Sequence, residues 1–357
     1  MTITKYAASI ALFSSLFHGC APAPEQDTDQ RYQALGGGWL SNNSAQAFGG
    51  VLNAEPIRGI FYSTTPPEGT DPSGSGWWVR SQNTDYYAPI DSITYNGQAV
   101  TELTAAQGFL SVTAADVSQV VAGQFDLQFQ VGGSAPGVLR LQSTKAGAAY
   151  GKYEAAWQAA GGKSWSSFCP HPYQNRDGTI TQLVEYMIPV GGAKWLVDGS
   201  RVDDSDSIAL ACTHDAIGGC IEWGYVPWES QGGTPLKNHH QACTRMKRAD
   251  FCGSGDPVTT TNQSYYLHTP IELWDSLSIH AVGAQNENTM EAFWDPSGAT
   301  CFNPSQYRST LPNYVAHMQA QTASCPRPAC TKSSSGLLAS ARPCTAVDST
   351  TKTCIQN

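Results

Sequence analysis

Four residues in one short stretch could do chemistry together: His239, His240, Cys243 and Asp250. Histidine titrates near neutral pH, and a carboxylate beside it can orient it as a general acid or base. Two histidines and a thiolate are also zinc-ligand types. At a helical spacing of about 100° per residue, His239, Cys243 and Asp250 fall within about 40° of one another, with His240 flanking them. Leu236, Ala242, Met246 and Ala249 share that stripe, so it faces a core. A carboxylate turned into a core must be paired, by an arginine, a backbone terminus or a catalytic histidine. His240 with Asp250 is therefore the candidate catalytic pair, with His239 as a substitute for His240. The competing reading, and the favoured one, is a structural Asp250 satisfied by hydrogen bonds beside a disulfide. No metal is expected, because adjacent histidines on a helix diverge and Cys243 is expected to be oxidised.

Other groups carry weaker signals. His214-Asp215 reads as an exposed turn, since adjacent side chains rarely reach each other. Asp203, Asp204 and Asp206 supply oxygen ligands for calcium, but the spacing of a calcium loop fails at Ile208, and a solvated acidic loop is expected. Ser254 lacks the context of a nucleophile elbow, and neither a phosphate-binding loop nor a dinucleotide fingerprint occurs. No cofactor is expected. Trp77-Trp78, Tyr86-Tyr87, Trp223, Trp228, Tyr265-Tyr266 and Trp274 could stack on sugars, but only one of two adjacent strand residues can face a ligand. Core packing is their expected role.

The elements that must position these groups are legible in part. The pattern predicts a helix over 236–250, with Gln241, Arg245 and Arg248 opposite the apolar stripe and Gly253 as its cap. A weaker helix is predicted over 312–323. Residues 124–131 alternate strictly, with Phe125, Leu127, Phe129 and Val131 on one face, which predicts a half-buried strand. Residues 138–141 follow as its hairpin partner. Asn96-Gly97 after Ile93-Thr94-Tyr95 predicts a second hairpin. Residues 183–188 and 207–212 read as buried strands, and 63–76 as a loop.

The chain has 357 residues, only 14% of them charged, and a net charge of −9. Nothing basic is clustered, so no nucleic-acid partner is expected. Residues 1–19 carry one lysine and then a short apolar run, too short to span a bilayer and suited to a signal peptide. Gly19-Cys20 resembles the end of a lipoprotein signal, making Cys20 the candidate lipidation site and membrane anchor. The alternative is secretion with cleavage after Ala21-Pro22-Ala23. Residues 20–45 read as a tether. Of eleven cysteines, ten remain after Cys20: Cys169, Cys212, Cys220, Cys243, Cys252, Cys301, Cys325, Cys330, Cys344 and Cys354. An even number in an oxidising compartment suggests five disulfides of open connectivity. Since none lies between 21 and 168, a β-rich module over 46–164 is expected before a disulfide-rich domain over 165–357.

Ala242 to Gly253 resembles the signature of the bacterial ADYC-domain family, with Ala249-Asp250-Phe251-Cys252 in place of Ala-Asp-Tyr-Cys. Stretches at 211–228, 240–243, 269–275 and 298–301 are also similar, so the resemblance covers about residues 165–345. It implies an exported envelope protein and supplies no catalytic roles. Phe251 keeps the ring and loses the hydroxyl, which favours packing at that position. The resulting expectation is an α+β, β-rich fold: an N-terminal antiparallel β module followed by a disulfide-rich mixed domain with few short helices. Its expected function is a surface binding or structural module in the cell envelope, anchored to the outer membrane or extracellular. Its expected partner is a neutral surface ligand or glycan, and the oligomeric state is open. The alternative is an extracellular hydrolase-like enzyme using the His–Asp pair.

Overall fold

The computed structural model describes residues 51–52, 55–63, 76–81, 87–132, 137–169, 171–174, 180–183, 186–196, 199–213, 216–255, 273–277, 279, 290–303, 312–331, 333–341, 346–347 and 354–355. The predicted signal peptide, Cys20, the tether, residues 64–75 and His214-Asp215 lie outside them. So do the side chains of Trp77, Trp78, Tyr86, Tyr87, Tyr265, Tyr266, Trp274, Cys344 and Cys354.

Antiparallel strand pairs close into a ring. Strand Glu55–Ser63 pairs with Gly76–Ser81, which pairs with Tyr87–Tyr95. The ring continues through Gln124–Val131, Gly137–Thr144 and Tyr153–Ala159. Met187–Trp195 and Arg201–Cys212 complete it and return to Glu55–Ser63. Closing a sheet on itself leaves no open edge within the ring. The alternation seen in the sequence decides which side chains fill it. Phe125, Leu127 and Phe129 share a buried cluster with Leu139, Leu141, Met187, Ile208 and Leu210.

A meander of Gln98–Ala106, Phe109–Ala114 and Val117–Val120 adds Leu103, Leu110 and Val112 to that cluster. The buried Tyr153 hydroxyl pins it, accepting from Leu110 N and donating to Val121 O, both at 2.9 Å. Asn96 and Gly97 both take positive φ, 49° and 79°, as the predicted two-residue turn requires.

Two sequence expectations change here. The apolar run 183–188 is not one strand: Ile180–Leu183 ends a small hairpin and Met187 starts a barrel strand. The expected boundary near 164 falls inside one sheet, since Trp157 and Ser166 are paired and strands 187–195 and 201–212 complete the barrel. Long-range pairing joins what local composition separates.

The outer face of the last two barrel strands is apolar as well. Ile188, Val190, Ala209 and Ala211 are covered by Ala216, Ile217 and Ile221 of helix α1 (Ala216–Glu222). Helix α2 (Lys237–Arg248) lies beyond it. A small sheet ordered Leu273–Asp275, Leu338–Ala341, Met290–Asp295 and Gly298–Phe302 packs on the far side of α2. Helix α3 (Pro312–Ser324) contributes Met318 to the same core.

Among the described residues four disulfides join these parts: Cys169–Cys212, Cys220–Cys243, Cys252–Cys325 and Cys301–Cys330. That chemistry fits an oxidising compartment. No helix among the described residues is long and apolar enough to cross a membrane.

Candidate functional site

Helix α2 is buried from His239 to Arg248 on every side. The sequence pattern places Gln241, Arg245 and Arg248 opposite the apolar stripe, yet these too are buried. The physical reason is the helix's position between α1 and the small sheet, which leaves it no solvent face. Its polar side chains must therefore find partners inside.

They do so specifically. Trp195 Nε1 donates to Gln241 Oε1 at 3.0 Å, and Gln241 Nε2 donates to Gly199 O at 2.9 Å. Gly199 has φ +72°, and a Cβ there would meet the Nη1 atoms of Arg248 and Arg245. A glycine is thus required for both conformation and space. Arg245 Nε donates to Pro296 O at 3.1 Å, and Arg248 Nη2 donates to Gly255 O at 2.8 Å. The Lys247 ammonium lies over the Trp223 ring, 4.7 Å from its centroid.

The helix ends at Ala249, in the left-handed region at φ 53°, whose N–H reaches the carbonyls of Arg245 and Met246. The cap is therefore Ala249, not the predicted Gly253, which takes φ 67° in the following turn. This early ending swings Asp250 back beneath the helix. Its Oδ2 accepts from Arg245 Nη1 at 2.5 Å and from Gly255 N at 3.1 Å, and its Oδ1 accepts from Ser254 N at 3.1 Å. Asp250 is fully buried, at 0% exposure. Phe251 beside it packs on Trp294 and Phe302, both ring centroids 4.7 Å away.

His240 does not join Asp250. Its Nε2 donates to Ile217 O at 3.0 Å, its ring meets Trp195 edge-on, and its Nδ1 has no hydrogen-bond partner among the described residues. Burial pushes its pKa down to about 3, so it is neutral. The candidate catalytic pair of His240 and Asp250 is thus not assembled, because each member is committed to a different neighbour. The considered His239–His240–Cys243 metal set is not assembled either: Cys243 is bonded to Cys220, and no metal-holding group occurs among the described residues. Asp203, Asp204 and Asp206 are occupied by Lys237 and Arg201, by Lys194, and by Ser205 respectively.

Sequence reasoning missed a second constellation at the surface. His239 Nε2 lies 3.1 Å from the hydroxyl of exposed Ser276, and the His239 ring stacks on Tyr225. The Tyr225 hydroxyl donates to Asp275 Oδ2 at 3.1 Å, while Asp275 Oδ1 accepts from Leu277 N and Ile279 N. Burial lowers the pKa of His239, opposed by the charge of Asp275. No nucleophile motif surrounds Ser276, so nothing in the sequence marks it. The only available hint is that Tyr225, His239 and Asp275 sit in or beside three separate stretches of the family resemblance.

Residues 117–308, more than half of the chain, match the ADYC domain family. The match begins at the last strand of the meander, well before residue 165, and stops short of 345. No curated protein and no solved structure matches the chain.

Proposed function

Because the chain belongs to the ADYC domain family, we propose that it is an exported cell-envelope protein acting as a surface binding or structural module. The closure of Asp250 by Arg245 and two backbone N–H groups carries this reading. The signature carboxylate spends its acceptor capacity inside the fold and is fully buried. In the reading, the signature is a clasp between the barrel side and the small sheet. Lipidation at Cys20 tethers the module to the outer membrane, and the tether over 20–45 lets it reach a ligand.

Saturable binding of the purified chain to isolated bacterial cell envelopes is the expected result. Absence of saturable binding, together with a mature chain still beginning at Met1 by mass spectrometry, would remove both parts of the proposal.

The contact between Ser276 and His239 favours a second reading, a hydrolase-like enzyme. An exposed hydroxyl beside a buried, neutral imidazole is a nucleophile–base arrangement. It ranks second because His239 Nδ1 has no orienting partner among the described residues and Asp275 is held by Tyr225 and backbone donors. Labelling by a fluorophosphonate probe that vanishes in Ser276→Ala would promote it. An unlabelled protein would end it.

A further inference from the structure

The outer face of barrel strands 124–131, 137–144 and 153–159 has an unusual make-up for a sheet face turned to solvent. Its residues form cross-strand rows. Gln128 stands opposite Arg140, which stands opposite Ala156. Gln130 stands opposite Val138, which stands opposite Gln158. Of the three charged residues on these strands two neutralise each other, since Arg140 Nε and Nη2 hold both oxygens of Asp126 at 2.7 and 3.1 Å, and the third, Glu154, is exposed. Gln128 Nε2 adds a third bond to Asp126 Oδ2 at 2.9 Å. Exposed Trp165 lies on Arg140, the guanidinium carbon 5.5 Å from the ring centroid, and keeps 40% of its surface in solvent.

We infer that this face is a carbohydrate-binding platform for a neutral glycan, with Trp165 as the stacking ring and Gln128 and Arg140 as the polar contacts. This deepens the binding reading above and rests on it. The chemistry runs as follows. A sugar ring presents an apolar C–H face and an equatorial rim of hydroxyls. The C–H face covers the open side of the indole, whose other side is braced by Arg140. Each hydroxyl is both donor and acceptor. Gln128 Oε1 and Arg140 Nη1, which make no bond to Asp126, offer an acceptor and a donor in adjacent positions. The bidentate ion pair fixes those groups before a ligand arrives, which reduces the ordering cost on binding. Gln130 and Gln158 extend the same amide chemistry along the next row. Ala156 keeps the floor between the strands low, so a chain of sugars can lie flat. An anionic polymer would meet exposed Glu154 on strand 153–159 and a chain of net charge −9 behind it.

The test is affinity electrophoresis and calorimetry of the full mature chain against a panel of neutral polysaccharides, namely dextran, xylan, glucomannan and soluble chitooligosaccharides, with polygalacturonate as the anionic control. At least one neutral glycan is expected to bind, insensitively to salt. Trp165→Ala should weaken it at least tenfold and Gln128→Ala severalfold. Val120→Ala, on the exposed meander strand Val117–Val120 outside the three platform strands, should leave it unchanged. Trp165→Ala is at the surface, and an unaltered thermal midpoint would verify its fold. The platform is refuted if no neutral glycan binds, or if Trp165→Ala binds as the parent does. Envelope binding that persists without any neutral-glycan binding, and is destroyed by protease but not by periodate, would overturn the platform while leaving the binding module standing.

Discussion

Arg245 and Asp250 meet at 2.5 Å across the end of α2, with side chains 2% and 0% exposed. They are five residues apart, too far to face each other along a continuous helix. The left-handed Ala249 makes the meeting possible by turning the chain back. Ion pairs this deeply buried gain little net stability over a well-packed apolar pair, but losing one member leaves an uncompensated charge in the core. The pair therefore acts as a specificity device, holding the turn at 249–255 in one arrangement. That turn sets where Phe251 packs and where Cys252 reaches Cys325.

The neutral state of His240 makes stability depend on pH. Its folded pKa lies near 3, below the ordinary 6.5, so the unfolded chain binds a proton that the folded one refuses. The contribution is full above pH 6.5 and is lost as pH falls toward 3, with a slope approaching about 1.4 kcal/mol per pH unit. His239, also shifted down, adds in the same direction. Asp126, Asp203 and Asp204 are shifted down too, but their losses begin lower, around the carboxylate range. Urea titrations between pH 6.5 and 5 should show falling stability, and His240→Gln should flatten that slope.

The bond between Cys220 and Cys243 ties α1 to α2 across a separation of 23 residues. Replacing both cysteines by serine should cost about 2–4 kcal/mol in chemical denaturation, from the greater freedom of the unfolded chain. An unchanged midpoint would mean that the helices are held by packing alone.

Phe251 is expected to be a packing residue. Phe251→Ala removes a ring wedged between Trp294 and Phe302 and should cost about 3–5 kcal/mol. If it instead abolished ligand binding at unaltered thermal stability, the ring would belong to a binding site.

Local rules read some of this molecule directly. The strict alternation of 124–131 gave a strand with one buried face, and Asn96-Gly97 gave its hairpin. The cysteine count gave disulfides, though which cysteines pair depends on contacts across as many as 73 residues. The pattern of α2 places its polar residues opposite the apolar stripe. Gln241, Arg245 and Arg248 look like solvent residues by type, and only the arrival of the small sheet from residues 273–341 shows that they are enclosed. For the same reason Asp250 could be recognised as needing a partner, while the identity of that partner depended on a turn conformation that Ala249 does not advertise. Ser276 and Trp165 carried no local signal, since each gains meaning only from the neighbour that folding brings to it, His239 and Arg140.

The central claim is that Asp250 is a structural clasp, and a double-mutant cycle with Arg245 tests it most directly. Arg245→Met, Asp250→Ala and the double substitution would be compared by urea unfolding at pH 7. Each single change should cost about 3–5 kcal/mol, and the double change far less than their sum, giving a coupling above about 2 kcal/mol. A double variant that folds where a single one does not would be the same result in stronger form. An Asp250→Ala chain with the parent's urea midpoint, or two losses that simply add, would contradict the clasp.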